Sequence, residues 1–422
     1  MTKKEKDIIA YVMNLPASVL PSVKSYQKMT GKKYRIMLIF DTKIPVPESQ
    51  SGYDILVLCD FSSPEKIAEA LLPYQDELLA ISCRSEANIS RFAKIIPHVP
   101  YLRTPSSESL IWATDKYEMR KRFRLYDPKI TPKFTHLKDD SKEERKRAIE
   151  KIGFPMIIKP TNLAASLFVN ICYHEEELEK ALKNAFRKIA KAYEHDKRME
   201  EPKIIAEEYM EGDMYSLDSY VNSRGTVYHC PLVRVKTGKD IGHDDFFNYL
   251  QATPTGLKKE SVDKARAVAE TAIHALGLRN TTTHTELMKM DDVWKIIELG
   301  PRMGGFRDEL HQLSCDIDHS LNDILIRIPK KPIIPKKCKG YAAAMKWFAS
   351  KEGRITEMKG IKKIEELESF HKIVINKKVG DRAVFARNGG RSIFNVFLYN
   401  AERPKLLADI RRLEKLVNIH VA

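Results

Sequence analysis

The hydrophobic and polar positions of the chain form three successive patterns. In the first, short apolar runs are separated by segments whose apolar residues recur at helical spacing, which predicts alternating strands and helices. Such alternation is typical of a mainly parallel sheet. The predicted elements are strands at 34–40, 53–59 and 78–83 and helices at 65–72 and 86–96. We therefore expect an α/β domain over residues 1–105, in which residues 1–33 are basic and helical.

The second pattern, over residues 106–330, combines strand pairs with longer helices and predicts a larger domain. One apolar run ends at Lys159, and the proline that follows stops the strand, so the ammonium group is expected just past the sheet. The loop at 161–166 is either a plain turn or a cover for phosphates, with backbone N–H groups and a hydroxyl as donors. The third pattern, over residues 331–422, predicts a small α+β unit.

A β-hairpin near residue 290 contains the most informative pair of side chains. Its predicted strands are 283–290 and 293–299, with an Asp–Asp pair between them. Glu286 and Glu298 face each other if the loop has three residues, 291–293, whereas a two-residue loop would place them on opposite faces. We expect the three-residue loop, because a rigid Pro–Arg–Met–Gly–Gly turn that carries Arg302 follows the second strand.

Two opposed carboxylates repel each other by up to ~1 kcal/mol, and a divalent cation removes that repulsion. Mg²⁺ is typically held by one or two carboxylates, while water and phosphate oxygens complete its coordination. The hairpin alone leaves two interpretations open. Glu286 and Glu298 form a magnesium site, or they lie on a hydrated sheet face with Lys289 and Lys295 as ordinary partners.

Composition narrows the class of protein. A chain of 422 residues that is 43% apolar and 31% charged is typical of a globular protein with two to four domains. No apolar run approaches the roughly 18 residues that a membrane helix needs. The net charge of +15 permits nucleic acid or phosphorylated substrates as partners without defining a site. The six cysteines are scattered and form no CxxC motif, so we expect reduced thiols in a cytoplasmic protein.

Five short segments, in this order and spacing, resemble the ATP-grasp enzymes. They are Asp115-Lys116, Ile158-Lys159-Pro160, the segment 207–212, His284-Thr-Glu286 and Glu298-Leu-Gly-Pro-Arg302. The resemblance covers roughly residues 106–330. Residues 1–105 look like the Rossmann-like pre-ATP-grasp domain, and residues 331–422 look like the C-terminal subdomain of L-amino-acid-ligase-like and biotin-carboxylase-like members. The expected fold is thus an ATP-grasp domain between an α/β domain and an α+β subdomain.

The resemblance implies a role for each matching residue. Lys116 and Lys159 would contact the phosphates of ATP, below the loop that contains Ser166. Glu286 and Glu298 would hold Mg²⁺. Arg302 would bind the carboxylate substrate and its acyl phosphate, and Arg302 and Lys159 are the expected catalytic residues. The expected adenine and ribose contacts are Glu207, Glu208, Tyr209, Met210 and Asp213.

Two departures from the family pattern accompany these matches. The metal-site motif usually has Asn two residues after its second Glu, where this chain has Gly300. The phosphate loop has Ala164 and Ala165 where the family prefers glycine. Because neither change removes a charged group, we still expect an active enzyme.

The resemblance implies an ADP-forming, Mg²⁺-dependent carboxylate–amine ligase that makes an amide through an acyl phosphate. Its expected partners are ATP, a carboxylate such as an amino acid, and an amine, and a homodimer is among the expected states. One alternative is a carboxylase similar to biotin carboxylase. Another is a basic nucleic-acid-binding protein with a degenerate ATP-grasp fold, although no strip of aromatic and basic residues favours it. The identities of the carboxylate and the amine do not follow from the sequence.

Two further residues near the hairpin have open roles. His284 shares a strand face with Glu286 and is expected to line the substrate pocket. Arg307 is either a second carboxylate-binding residue or a surface charge.

Overall fold

The computed structural model describes residues 5–163, 167–243 and 245–422. Across these ranges no helix is both long enough and apolar enough to cross a membrane. The strands form four sheets, and the largest has nine strands. The mixed α/β class predicted from the sequence is confirmed.

The N-terminal part is a four-stranded sheet in the order β3–β2–β1–β4, and its neighbouring strands are all parallel. Its elements are β1 (Ile8–Val12), α1 (Val19–Thr30), β2 (Arg35–Asp41), β3 (Ile55–Cys59), α2 (Pro64–Leu71), β4 (Leu78–Ser82) and α3 (Ile89–Ile95). Strand β1 corrects the helical expectation for residues 1–33. Its five residues are all buried between two parallel neighbours, an environment that favours continuous apolar runs in strands.

A second, antiparallel sheet has the order β5–β8–β6–β7. The elements of this region are α4 (Ser107–Thr114), α5 (Lys116–Tyr126), β5 (Phe134–Leu137), α6 (Lys142–Ile152), β6 (Met156–Pro160), β7 (Asn170–Cys172), α7 (Glu175–His195) and β8 (Ile204–Glu208). The apolar face of the long helix α7 packs on this sheet through residues such as Leu178, Leu182 and Ile189. The packing fixes the ends of β6 and β8, where Lys159 and Glu207 lie.

The nine-stranded sheet runs in the order β14–β13–β9–β11–β12–β15–β19–β17, with β10 paired to β9. The elements of the middle region are β9 (Asp213–Val221), β10 (Val227–His229), β11 (Val233–Thr237), β12 (Asn248–Thr253), α8 (Lys259–Ala275), β13 (Thr281–Met290), β14 (Val293–Gly300), α9 (Arg307–Cys315) and α10 (His319–Arg327). The elements of the C-terminal region are β15 (Tyr341–Trp347), β16 (Gly353–Lys359), β17 (Phe370–Ile375), β18 (Arg382–Ala383), β19 (Phe394–Asn400), α11 (Arg403–Leu416) and β20 (Asn418–Val421).

The large sheet continues across position 330, because β15 pairs with β12 on one side and with β19 on the other. Strands of the C-terminal residues therefore extend the sheet that carries the β13–β14 hairpin. The domain limits at 105 and 330 remain predictions.

Helix α10 attaches the large sheet to the N-terminal part. Leu321, Ile324 and Leu325 belong to the same apolar core as the parallel sheet. The hydroxyl of Ser82, at the end of β4, also donates to Asp323 Oδ2 on α10 at 2.6 Å. This contact joins the end of β4 to α10.

The cysteines require one correction. Cys315 and Cys338 form a disulfide, whereas the sequence analysis expected reduced thiols. Cys59, Cys83, Cys172 and Cys230 are free and buried. The bonded cysteines are 23 residues apart, and they meet only because the chain folds back after α10.

Candidate active site

The β13–β14 hairpin places Glu286 directly opposite Glu298, as the sequence analysis expected, but by a different route. The turn has two residues, Asp291 and Asp292, so the expectation of a three-residue loop is wrong. Register is restored by a β-bulge, because Leu287 pairs with Ile296 and the next pair is Glu286 with Glu298. The extra residue, Ile297, compensates for the shorter loop, since one added residue exchanges the two faces of a strand.

Arg120 of helix α5 stabilises this bulge through hydrogen bonds. Its guanidinium is fully buried and donates to the carbonyl oxygens of Ile296 at 3.0 Å and Ile297 at 2.6 Å. The same group forms two hydrogen bonds with Glu207, at 2.8 and 3.0 Å. A bidentate, buried pair of this kind has a strict geometry. Arg120 therefore joins helix α5, strand β8 and the bulge into one unit.

The two lysines that the sequence analysis singled out are both buried beside carboxylates. Lys116, at the start of α5, has its Nζ 2.9 Å from Glu298 Oε1 and 3.1 Å from the carbonyl oxygen of Leu163. Lys159, near the end of β6, has its Nζ 2.8 Å from Glu207 Oε2. Burial lowers the pKa of Lys159, and Arg120 adds to this effect while Glu207 opposes it. Two ammonium groups thus lie within the same small region as the hairpin carboxylates.

Arg302, which follows β14, pairs with Glu86 from the N-terminal part of the chain. Its Nη1 also donates to the carbonyl oxygen of Met303 at 2.9 Å. Burial disfavours the charged form of Glu86, but Arg302 and Lys116 outweigh it and hold the pKa of this carboxyl well below its usual range. The sequence analysis missed Glu86, because no pattern near it in the chain points to a residue 216 positions away.

The hairpin carboxylates fit a cation site. Glu286 and Glu298 are each about one-quarter exposed and line the same cavity. Burial raises the pKa of Glu298, and the negative charges of Glu86 and Glu286 raise it further against the opposing effect of Lys116. The region is therefore short of positive charge at Glu298, which a divalent cation between the two carboxylates would supply. Oxygen ligands of this type suit Mg²⁺.

His284 lines the cavity beside Glu286, as expected. Its Nδ1 is 2.6 Å from Asp218 Oδ1, and its Nε2 is 3.5 Å from Glu286 Oε1. A Cβ at Gly304 would lie 2.3 Å from His284 Nδ1, so this close approach requires glycine. The amide of Gly304 in turn donates to Asp218 Oδ2 at 2.8 Å. Asp218 was not identified from the sequence.

Of the two roles that the sequence left open for Arg307, the structure rules out a surface charge. Only 1% of its side chain is exposed, so it is not a surface charge. Its guanidinium donates to Gln251 and Ser216, each at 2.5 Å, and does not line the described cavity wall. Arg307 is a buried link between α9 and the sheet.

A cavity of about 760 Å³ contains these groups. Of the residues expected to bind the nucleotide, those that line it are Lys116, Lys159, Glu207, Glu208, Tyr209 and Met210. Asp213 is exposed, pairs with Arg234 at 2.6 Å and is absent from the described lining. Ser166, Ala164 and Ala165 lie outside the described residues. The carboxylate of Glu207 is occupied by Arg120 and Lys159.

Comparisons with known proteins agree with the geometry. Residues 152–308 match the family described as ATP-grasp domain. The alanine–anticapsin ligase of Bacillus amyloliquefaciens is 28% identical over 259 residues, which are 58% of this chain and 54% of that protein. The D-alanine–D-alanine ligase of Fervidobacterium nodosum is 26% identical over 220 residues, 49% of this chain and 65% of that protein. The chain thus spans about half the length of the alanine–anticapsin ligases that it matches.

Among solved structures, the L-amino acid ligase from Bacillus licheniformis superimposes with a TM-score of 0.76. The alignment covers 99% of this chain and 100% of that one at 15% sequence identity, so it is a likeness of fold. The family match covers β6, β7, β8 and the whole β13–β14 hairpin, which are the elements that carry the paired lysine and carboxylates. Residues 152–308 are therefore similar to an ATP-grasp domain, and the chain shares its fold with the L-amino acid ligase.

Proposed function

We propose that the protein is an ATP-dependent carboxylate–amine ligase that forms an amide and releases ADP and phosphate. One observation carries the proposal. The opposed carboxylates Glu286 and Glu298 share a cavity with the buried cations Lys116, Lys159 and Arg302. The relatives named above are ligases that join amino acids, which supports the same reaction class for this chain.

The first step is activation of the substrate carboxylate. A carboxylate oxygen attacks the γ-phosphorus of ATP, so a C–O–P bond forms and the bond to the β-phosphate oxygen breaks. Lys116 and Lys159 donate hydrogen bonds to the phosphates, where negative charge shifts during transfer. Mg²⁺, held by Glu286 and Glu298, would neutralise phosphate charge and orient the terminal phosphate.

The second step is amide formation. The amine nitrogen attacks the acyl carbon, a C–N bond forms, and phosphate leaves with the electrons of the C–O bond while the nitrogen loses a proton. Arg302 holds the acyl group through guanidinium N–H donors that its contacts with Glu86 and Met303 leave free. The loop at 161–166 and the segment 236–245, part of which lines the cavity, would exclude water from the acyl phosphate.

ADP release by the purified protein, measured over all pairs of the common L-amino acids, tests the proposal. We expect release above the ATP-only background for particular pairs, with a product whose mass equals the two amino acids minus water. Release that requires bicarbonate or biotin would favour the carboxylase alternative. No pair-dependent ADP release, combined with salt-dependent retention on nucleic acid, would favour the basic nucleic-acid-binding alternative. Either result would contradict the ligase.

A further inference from the structure

The C-terminal residues supply one wall of the cavity. Their contribution consists of Lys346, Phe348, Asn376, Ala386, Gly390, Arg391, Ser392 and Asn395. None of the described lining residues from this part of the chain is acidic, whereas the hairpin side of the cavity carries several carboxylates. The wall therefore combines positive charge with neutral hydrogen-bonding groups.

Lys346 and Asn395 are direct neighbours on this wall, because strands β15 and β19 pair these two residues. The carbamoyl oxygen of Asn395 accepts a hydrogen bond from Ser392 Oγ at 2.8 Å. Asn376 Nδ2 donates to the same Ser392 Oγ at 3.1 Å. These bonds fix the orientation of Asn395 and leave its NH₂ group as a donor beside the Lys346 ammonium.

The Lys346 ammonium has no anionic partner. Within the described part of the chain, no carboxylate lies within 4.0 Å of its Nζ and no acceptor forms a hydrogen bond with it. The Nζ lies 4.9 Å from the centre of the Phe306 ring. Burial lowers the pKa of Lys346 and the neighbouring Arg307 lowers it further, while the more distant negative charge of Glu286 opposes them. A partly buried ammonium without a counter-ion is costly, and an anionic ligand would remove that cost.

The three cations that the proposed function uses already have carboxylate partners. Lys116 pairs with Glu298, Lys159 with Glu207, and Arg302 with Glu86. These are the groups that the proposed function assigns to phosphates and to the activated carboxylate. An anion at Lys346 is therefore a different group, and it lies on the wall that residues 331–422 contribute rather than on the segments expected to bind the nucleotide.

We propose that Lys346 and Asn395 bind a carboxylate that stays ionised through the reaction and that belongs to the amine substrate. This inference rests on the proposed function. It names the amine substrate as an amino acid or a peptide with a free carboxylate, and it excludes simple alkylamines and amidated peptides as good substrates. A charge-assisted, two-donor contact of this kind discriminates strongly against an analogue that lacks the charge.

Steady-state kinetics with L-alanine and L-alaninamide as matched amine substrates test the inference. The carboxylate partner is the amino acid that gives the fastest ADP release in the pairwise screen. For the wild type we expect a KM at least about tenfold lower for L-alanine than for L-alaninamide. Lys346→Met should raise the L-alanine KM by about tenfold, leave the L-alaninamide KM unchanged and leave kcat within about threefold. Lys346→Arg should keep the preference for the free acid.

Lys362→Met is the matched control, because Lys362 is an exposed lysine of the same C-terminal part of the chain that does not line the described cavity. Equal KM values for acid and amide in the wild type, or an equal change of both in Lys346→Met, would overturn the inference while the ligase stands. If no amino-acid pair releases ADP, saturation-transfer NMR still tests whether L-alanine binds at Lys346. Signal from L-alanine with the wild type and none with Lys346→Met supports the site, and equal signals overturn it.

Discussion

At the scale of single residues, the proposed chemistry depends on carboxylates and cations that come from distant segments and hold each other in place. Glu298 is paired with Lys116, and Glu207 is shared between Lys159 and Arg120. One position near the metal-site carboxylates is unusual for the family, because Gly300 offers no oxygen ligand from a side chain. This position lends itself to a direct test of the cation site.

Gly300→Asn is expected to lower the Mg²⁺ concentration needed for half-maximal ADP release. The three heavy atoms nearest a Cβ at this position all belong to the Arg302 side chain, at 3.7–3.8 Å, and the backbone does not require glycine, so a Cβ is accommodated. An added oxygen ligand worth about 1 kcal/mol would lower the requirement by roughly three- to tenfold. Titration of ADP release with Mg²⁺ measures the concentration needed for half-maximal release.

Gly305→Asn serves as the control, since it adds the same side chain to the same turn at an exposed position with no atom within 4 Å of the new Cβ. An unchanged or higher Mg²⁺ requirement in Gly300→Asn would speak against a metal ion at Glu286 and Glu298.

The residues that could be predicted from the sequence are those within short, recognisable segments, such as Lys159 before its proline and Glu286 in the hairpin. Glu86 and Asp218 could not be predicted, because their partners Arg302 and His284 are 216 and 66 positions away. A charged residue in a loop or a strand gives no signal of such a partner until the fold brings the two together. The role expected of Asp213 at the ribose stays a prediction, although its carboxylate pairs with Arg234 in this structure.

At the scale of elements, the hairpin shows why a correct pairing can follow from an incorrect loop. The sequence analysis placed Glu286 opposite Glu298 on the assumption of a three-residue loop, and the structure confirms the pairing. The predicted loop length was wrong, because a bulge changes the register by one residue in the same way as a longer loop. Nothing in the local sequence distinguishes the two, since the carbonyl oxygens of the bulge are stabilised by Arg120 from helix α5.

Arg120→Met is expected to destabilise the protein by about 3–5 kcal/mol, because it leaves Glu207 as a buried charge with one partner and removes the donors to the bulge carbonyls. Urea unfolding followed by far-UV circular dichroism measures the loss. The control is Arg124→Met, an exposed arginine of the same helix, for which we expect a change within about 0.5 kcal/mol. Equal stabilities of the two variants would show that Arg120 does not anchor the bulge.

At the scale of the whole molecule, the site is assembled from three parts of the chain. The N-terminal part supplies Glu86, the middle part supplies the lysines and the hairpin, and the C-terminal part supplies the wall with Lys346. The alternation of elements predicted the parallel N-terminal sheet, apart from β1. The continuation of the large sheet into residues 331–422 could not be predicted, because strand pairing over such distances depends on which edges remain free.

The Glu86–Arg302 ion pair joins two of these parts, so its contribution to stability should depend on pH. Folding lowers the pKa of Glu86 below its unfolded value of about 4.3, and the stabilisation is therefore fully present above that value and lost as the pH falls toward the folded pKa. Glu86→Gln should lower the free energy of unfolding by about 1.5–3 kcal/mol at pH 7, with a smaller difference below pH 4. Urea unfolding of the wild type and the variant between pH 7 and pH 3 measures this difference in the free energy of unfolding.

The control for this experiment is Glu69→Gln, an exposed glutamate in the same part of the chain. A difference between wild type and Glu86→Gln that stayed constant from pH 7 to pH 3 would show that the carboxyl does not titrate between the folded and unfolded states as described.

ADP release by Glu286→Gln and Glu298→Gln, measured beside the exposed control Glu365→Gln, tests the central claim most directly. Each of the two site variants keeps the shape of the side chain and removes one negative charge from the proposed cation site. The account predicts that both fold like the wild type and lose about 100-fold or more of the ADP release, while Glu365→Gln retains it. Wild-type rates in both site variants would contradict the claim that these two carboxylates hold the reacting phosphates through a metal ion.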